Sequence, residues 1–252
     1  MARVEGRPTG HRTLVYRSVN SAIGRAIGDY GMIADGDRIL VAVSGGADSL
    51  TLLQMLADRR RWAPVAYEVA AAYVDPGFEP SPAAAVAAFC QKIEVPLRTV
   101  MTDHGPAAHS PANRENPCFL CARRRRQTLF EIAAAQGCGK LAMGHNQDDI
   151  IETFFMNVLY AGEMGTMLPL QRFFAGRITL IRPLAYAPAY KVRRLAREIG
   201  VPAAVNPCPS AGTSRRREIR DWLAGLYSAN RKIRGNVFRA LRHVKRDNLL
   251  RP

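Results

Sequence analysis

The sequence predicts an α/β fold: a Rossmann-like parallel sheet with helices on both faces, followed by a basic helical C-terminal extension. Three observations predict it. Short apolar runs rich in β-branched residues alternate with stretches of helical period, the pattern of strand–helix–strand units. The first run ends in the Ser-Gly-Gly turn of VAVSGGADSLTLLQML, Val41 to Leu56, and open α/β sheets bind ligands beyond the carboxyl ends of their strands. Charge is uneven. Lys+Arg 36 against Asp+Glu 21 gives +15 over 252 residues, and Ser214–Pro252 holds twelve Lys and Arg against three acids.

The elements follow in order. Residues 1–36 read as an N-terminal segment. Ile39–Val43 is the first strand, and the helical period of Ser49–Arg60 follows it. Val65–Val74 contains the second strand and Pro82–Ile93 the second helix. Leu97–Met101 is the third strand. Residues 102–117 (TDHGPAAHSPANRENP) are polar and turn-rich and read as a long loop. Ala122–Gln136 is a helix, Leu141–Gly144 the fourth strand, Asp148–Tyr160 a helix, Ile178–Ile181 the fifth strand and Ala189–Ile199 a helix. Residues 37–213 then form one sheet domain and 214–252 the tail. Apolar residues at Ile219, Trp222, Leu223 and Leu226, and again at Val237, Leu241 and Val244, give the tail two helices with one buried face each.

Composition excludes several classes. Hydrophobic residues make up 48%, enough for a sizeable core and too many for a disordered chain. No apolar run approaches the ~18 residues of a membrane span. The first twelve residues, MARVEGRPTGHR, carry no hydrophobic block, so no signal peptide is read and a cytoplasmic protein is expected. The basic surface attracts polyanions, of which nucleic acid is the commonest in a cytoplasm. Five cysteines, Cys90, Cys118, Cys121, Cys138 and Cys208, are an odd number and argue against a disulfide framework.

The opening turn has the parts of a phosphate cradle. Ser44, Gly45, Gly46 and Ser49 bring backbone N–H groups, hydroxyls and a helix N-terminus to one place. Asp48 can hold Mg²⁺ or orient the turn; the same residues also make a tight strand-to-helix turn with an Asp-Ser cap. The loop is neither Walker A, lacking the final GK[ST], nor GxGxxG, since its glycines are adjacent. A second polar constellation, GHNQDDIIET (Gly144 to Thr153), follows the fourth strand. On a helix starting near Gln147, Asp148 and Asp149 each share a face with Glu152. Acids in a first turn also oppose the helix dipole, which is reason enough for them in many helices.

PCFLCARRRR, Pro117 to Arg126, places Cys118 and Cys121 in a C-x-x-C at the start of a helix, where the helix end and nearby arginines favour thiolate. Three chemistries compete. A thioredoxin-like pair belongs after the first strand of a smaller fold. Structural zinc wants four ligands. An iron–sulfur cluster on three thiolates leaves one iron open, and with Cys208 as the third cysteine in a motif-like setting it fits best. Cys90 and Cys138 lie in helix contexts and read as buried core thiols.

These motifs carry a resemblance. SGGADS resembles the SGGxDS loop of the PP-loop (N-type) ATP pyrophosphatases, and GHNQDDIIET the GHxxDDxxET segment of the tRNA-modifying members. PCFLCARRRRQTLFEIA is similar to the C-x-x-C-x-R-x-R-R helix of the TtcA-type tRNA 2-thiocytidine synthetases, and IRPLAY and NPCPSAG resemble that family's RPL and PCxxCGS segments. The resemblance spans roughly Ile39 to Ser214 and implies an adenine nucleotide alpha hydrolase-like fold. This chain has Ala47 where many members carry Lys, and Ala211 at the second cysteine of the last motif.

The resemblance implies ATP bound at Ser44, Gly45, Gly46, Asp48, Ser49, Gly144 and His145, with Mg²⁺ at Asp48 and Asp149. It implies a [4Fe–4S] cluster on Cys118, Cys121 and Cys208. A tRNA base carbonyl, that of cytidine C2, is adenylated with release of pyrophosphate, and sulfur carried by the cluster then displaces AMP. The catalytic set is thus Asp48, Asp149, Cys118 and Cys121. Arg123, Arg126, Arg215, Arg216 and Arg217 are expected to contact RNA, while Arg124 and Arg125 have ATP phosphates as an alternative. The implied partners are tRNA, a sulfur donor (a cysteine desulfurase or sulfide) and a second copy in a homodimer, with no membrane. A lysidine-synthase-like tRNA ligase shares the glycine loop and needs no cysteine cluster; a nucleotide- or metal-binding regulator needs no turnover.

Overall fold

The computed structural model describes residues 13–202, 207–212 and 214–249. The N-terminal stretch read for a leader, Asn206 of the NPCPSAG segment, and Arg251 of the tail lie outside them. The described elements divide into two compact units, residues 1–146 with 168–211 and residues 147–167 with 212–252.

The first unit is built on a six-stranded sheet: β1 (Asp37–Val43), β2 (Tyr67–Asp75), β3 (Leu97–Met101), β4 (Lys140–Met143), β5 (Leu170–Phe173) and β6 (Ile178–Ile181). Their order is β3-β2-β1-β4-β6-β5, parallel except for β5, which runs antiparallel along β6. The chain winds outward from β1 to β3 and then returns to the other side of β1. The switch point therefore lies between β1 and β4, where neighbouring connections diverge and leave a crevice.

The helices of this unit are α1 (Leu14–Tyr30), α2 (Ala47–Arg59), α3 (Ala83–Lys92), α4 (His104–Ala108), α5 (Pro117–Ala135) and, after the excursion of the chain into the second unit, α7 (Ala189–Glu198). Helices α1, α2 and α7 pack on one another. Across the sheet, Leu129, Ile132 and Ala133 of α5 join Leu40, Ala72, Val74, Leu141 and Ile178 in one core cluster, with Ala42 and Met143 against it.

Four elements depart from the sequence reading. Helix α1 occupies the stretch read only as an N-terminal segment. Its buried stripe is Val15, Val19, Ala22, Ile23 and Ala26, closed by Gly31 in the left-handed region, which glycine adopts without steric penalty. Helix α5 begins five residues before the predicted Ala122, because Asn116 Oδ1 accepts the amides of Cys118 (3.0 Å) and Phe119 (3.3 Å) and Pro117 takes the first helical position. The long loop contains the short helix α4. Strand β5 was absent from the prediction; its Leu-Gln-Arg-Phe exposes Gln171 and Arg172 at the sheet edge and has no alternating pattern to mark it.

The second unit contains α6 (Gln147–Tyr160), α8 (Arg215–Ala229) and α9 (Lys232–Ala240). Ile151, Ile219 and Leu223 form its small core, with Phe155, Met156, Leu226 and Val237 around them. Polar pairs tie the helices together. Arg220 donates to both oxygens of Glu152 (2.7 and 3.0 Å), and Arg234 donates to Asp148 at 2.9 Å.

The Glu152 side chain is 4% exposed, whereas Arg220 is about half exposed. Breaking a fully buried pair costs about 3–5 kcal/mol; solvent access to Arg220 reduces this. Glu152→Ala is therefore expected to destabilise the protein by about 2 kcal/mol, read as a lower urea midpoint.

Candidate active site

The polar residues of the first unit gather at the carboxyl edge of the sheet. The SGG turn leaves β1, the GHN turn leaves β4, Asp75 ends β2 and Arg182 follows β6.

The glycine turn is held from within. Ser49 Oγ accepts the amide of Ser44 (3.0 Å) and donates to the carbonyl of Gly46 (3.0 Å), and Ser44 Oγ accepts the amide of Gly46 at 3.4 Å. Both hydroxyls predicted to touch phosphate thus also shape the loop. Gly45 has φ 77°, where a side chain is strained. No side chain caps the N-terminus of α2, so its first amides face the turn, the arrangement that suits an anion.

The turn after β4 locks onto this loop. A Cβ at Gly144 would stand 2.8 Å from both N and Cα of Ser49, so only glycine allows the approach. The role of Gly144 visible here is this packing. Two residues on, Asn146 Nδ2 donates to Asp48 Oδ2 at 3.0 Å and aims that carboxylate. Asn146 is buried and was missed by the sequence reading; its place in GHN beside the chosen His145 was the available signal. His145 Nδ1 accepts from Arg182 Nε at 3.3 Å, which leaves Nε2 as its protonated nitrogen.

Asp75 is a second buried polar residue not singled out from sequence. It accepts from Tyr73 Oη (3.2 Å), the amide of Gly77 (2.8 Å) and Ser81 Oγ, and so fixes the loop after β2. Burial, with the Asp75 charge adding to it, pushes the Tyr73 phenol up to about 12, while Arg125 acts in the opposite sense.

The three chosen cysteines are thiols outside any disulfide. Cys118 and Cys121 lie one turn apart on α5. The pKa of Cys121 is raised by burial and by the thiols of Cys208 and Cys118, while the Arg125 and Arg124 guanidiniums pull it down. Cys121 is therefore near enough to both other thiols for their charge to act on it. Among the described residues no three His, Cys, Asp or Glu side chains are placed to hold a single metal ion, but a cubane cluster is wider than one ion and holds its thiolates further apart. The donor set, three thiols of which the central one lies under guanidinium charge, fits such a cluster. Cys90 and Cys138 are buried, with the Cys90 thiol pushed up to about 11 by burial.

His109 anchors the third cysteine. Its Nδ1 faces the Gly105 carbonyl at 2.9 Å and so carries the proton, and Nε2 accepts from Ser210 Oγ at 2.8 Å. Ser210 lies in the turn closed by the Ala211 amide on the Cys208 carbonyl (3.0 Å). The ring of Phe78 supports the imidazole edge-on at 5.5 Å.

The arginines chosen as RNA contacts differ in their engagements. Arg123 donates to Glu115 at 2.9 Å, an exposed pair of little weight. In the second unit Arg215 lies over the Tyr160 ring at 4.8 Å, Arg216 donates to Thr153 at 3.2 Å and Arg217 to Asp221 at 2.9 Å. Asp148 and Glu152 of the same unit carry the arginine pairs described above. The Asp149 carbonyl, at the start of α6, accepts from Thr153 Oγ1 at 2.8 Å.

A doubly wound sheet with a glycine turn at its switch point, clasped by a second turn from the neighbouring strand, defines a nucleotide-binding α/β protein. The chain belongs to the PP-loop domain family, whose model matches residues 15–220, the family its motifs resemble. It is 37% identical over 238 residues to a tRNA-cytidine(32) 2-sulfurtransferase of Geobacter sulfurreducens, covering 93% of each chain. It is 35% identical over 248 residues to the Anaeromyxobacter sp. (strain Fw109-5) protein of that name, covering 97% of this chain and 81% of the relative. Its fold matches the U34-tRNA thiolase NcsA from Methanococcus maripaludis, a structure that includes a [4Fe–4S] cluster, with TM-score 0.77 and 22% identity over 97% of this chain and 89% of that one. The NH3-dependent NAD synthetase of Campylobacter jejuni is a more distant match, with TM-score 0.50 and 13% identity over 94% and 95% of the two chains.

Three outcomes follow from the geometry. Gly144→Ala is expected to lower stability by about 1–3 kcal/mol, the range for overpacking, seen as a lower melting temperature. In cluster-free protein, alkylation read by mass spectrometry should be slow at Cys90 and Cys138, and faster with rising pH at Cys121 as its raised pKa is approached and thiolate forms. His109→Ala should speed alkylation of Cys208 by freeing its turn.

Proposed function

We propose that this protein is a cytoplasmic ATP-dependent tRNA sulfurtransferase that replaces the C2 oxygen of a cytidine, that of position 32 in the relatives' name, by sulfur. The observation that carries this reading is the gathering in one unit of a clasped PP-loop and of Cys121 with two thiols near enough to act on it, in a chain 37% identical to a protein of that name. It differs from a lysidine-synthase-like ligase, which has no use for the thiols.

In this reading the amides of Ser44–Ser49 and the N-terminus of α2 hold the phosphates of ATP, and Asp48 faces Mg²⁺, with Asp149 as a second carboxylate. Mg²⁺ suits one or two carboxylates completed by phosphate oxygens and water, and needs no full protein cage. The C2 carbonyl oxygen attacks the α-phosphorus and the bond to pyrophosphate breaks. Sulfide then attacks C2, and the former carbonyl oxygen departs with AMP. No electrons are gained or lost. The loop amides take up charge as it develops on phosphate oxygen, and positioning of base and nucleotide supplies much of the rate.

Cys118, Cys121 and Cys208 would hold the [4Fe–4S] cluster, and Arg125 and Arg124 favour the thiolate form of Cys121. When bound, the cluster supplies one iron without a protein ligand as the point of sulfur delivery. Residues 37–213 form the catalytic body and 214–252 an RNA-contacting tail, whose Arg215, Arg216 and Arg217 act together with Arg123 of α5. A cysteine desulfurase or free sulfide provides sulfur, and the enzyme is a homodimer.

The test separates the two halves of the site. After anaerobic purification, Cys208→Ala should lose most iron and acid-labile sulfide yet bind ATP as the wild type does. Asp48→Ala should retain iron and lose tRNA-dependent pyrophosphate release by ~10²-fold or more, the scale of lost charge stabilisation. Unchanged iron in the cysteine variant overturns the ligand assignment.

A further inference from the structure

Arg182 is a buried cation without a counter-charge. It is 6% exposed. Its Nε donates to His145 Nδ1 and its Nη1 to the Leu168 carbonyl, both neutral acceptors. Burial, with the neighbouring Arg126 charge adding to it, lowers its pKa to about 10, so it stays protonated at neutral pH. The ion pairs among the described residues engage Arg38, Arg123, Arg194, Arg217, Arg220 and Arg234. None of them reaches Arg182, Arg126 or Arg125. Among the described residues, carboxylates pair with arginines more exposed than Arg182, and none pairs with Arg182 itself. Leaving a cation buried and unpaired costs several kcal/mol, a cost removed when an anion binds.

The register locates this charge. Ile181 is level with Ala142, and Met143 with Ala42, so Arg182 stands level with Met143 and Ala42 at the carboxyl edge. Two strand spacings, about 10 Å in all, separate it from β1 and its glycine turn. Ala42 and Met143 face the α5 side of the sheet, and α5 crosses β4 and β6 on that side. Arg126, half-buried on α5, stands one helical turn before the core residue Leu129 and so shares its sheet-facing side.

We propose that Arg182 and Arg126 form a phosphate-binding subsite for the pyrophosphate portion of the bound nucleotide, separate from the glycine turn. Buried position favours a small anion over a polynucleotide backbone. The guanidinium forks of two arginines match phosphate oxygens in geometry and charge. One pair of anionic groups then touches two surfaces: backbone amides on the β1 side and arginine side chains on the β6 side. Arg182 also keeps His145 in the tautomer with Nε2 protonated, so ligand binding and imidazole orientation are linked.

This inference rests on the reading that the chain binds ATP. The test measures binding of inorganic pyrophosphate and of Mg–ATP by calorimetry, and of tRNA by filter retention, for wild type, Arg182→Gln, Arg182→Lys and Arg126→Gln. Pyrophosphate is expected to weaken about tenfold in Arg182→Gln and in Arg126→Gln, the size of a lost charged hydrogen bond, and less in Arg182→Lys, with tRNA affinity unchanged. Arg182→Gln also loses the bond to Leu168 and can destabilise the fold; Arg126→Gln leaves that bond in place and keeps the test decisive. Pyrophosphate should also raise the wild-type melting temperature, and by less in Arg126→Gln. Unchanged pyrophosphate binding in a folded Arg126→Gln overturns the subsite, as does a loss confined to tRNA, which assigns the pair to RNA phosphate. A wild-type protein that binds no nucleotide overturns the ATP reading itself.

Discussion

The first unit depends on one close approach: the chain leaving β4 passes so near the start of α2 that residue 144 has no room for a side chain. Adjacent parallel strands at a switch point send their connections apart, and a crevice opens between them. Here the crevice is narrowed by the two turns themselves. Gly144 sets the backbone against Asp48 and Ser49, and Asn146 then reaches the Asp48 carboxylate. Segments separated by nearly a hundred residues therefore determine one carboxylate's direction. A loop whose hydroxyls are spent on its own bracing offers a ligand mainly backbone amides, which need no rearrangement to bind an anion.

Much of this was legible in the sequence, and the failures have physical causes. The parallel strands were visible because buried strands are continuous β-branched runs. The SGG turn, the C-x-x-C and the GHN segment were visible because chemistry demands fixed residue types at fixed spacing. Helix α1 escaped notice because its stripe mixes two alanines with its larger apolar residues and is interrupted by serines, asparagine and arginines, a weak apolar signal. Edge strand β5 lacks a continuous apolar run. Asp75, Asn146, His109 and Arg182 were harder still. Each works through a partner distant along the chain or through its burial, and neither property is written in the local sequence. Arg182 sat within a quoted motif, yet nothing there marks an arginine as buried.

The net charge of +15 overstates the positive charge available to a polyanion. In the second unit Arg220 and Arg234 are bound to Glu152 and Asp148, Arg217 to Asp221, and Arg215 and Arg216 to Tyr160 and Thr153. These contacts are unequal. The pairs at Glu152 and Asp148 are shielded and hold helices together. The exposed ones are worth little and yield readily to phosphate. The tail thus holds arginines that tie helices together beside others with only weak contacts, sorted by what each side chain meets.

The thiols follow the same logic of competing terms. Burial disfavours charge on Cys121, and the neighbouring thiols disfavour it further; two guanidiniums oppose both. The outcome is a Cys121 thiol whose pKa lies above its ordinary value. Metal ligation of a thiol releases its proton and ties affinity to pH. The arginines on α5 then have two tasks on one helix. Arg125 and Arg124 act on the Cys121 thiol, while Arg126, one position on, acts on the buried Arg182. Because successive helical residues point about 100° apart, a run of four arginines can serve a sulfur site, a phosphate site and solvent together. That division explains why the run is uninterrupted, and why an arginine-to-lysine exchange at each position would be felt differently.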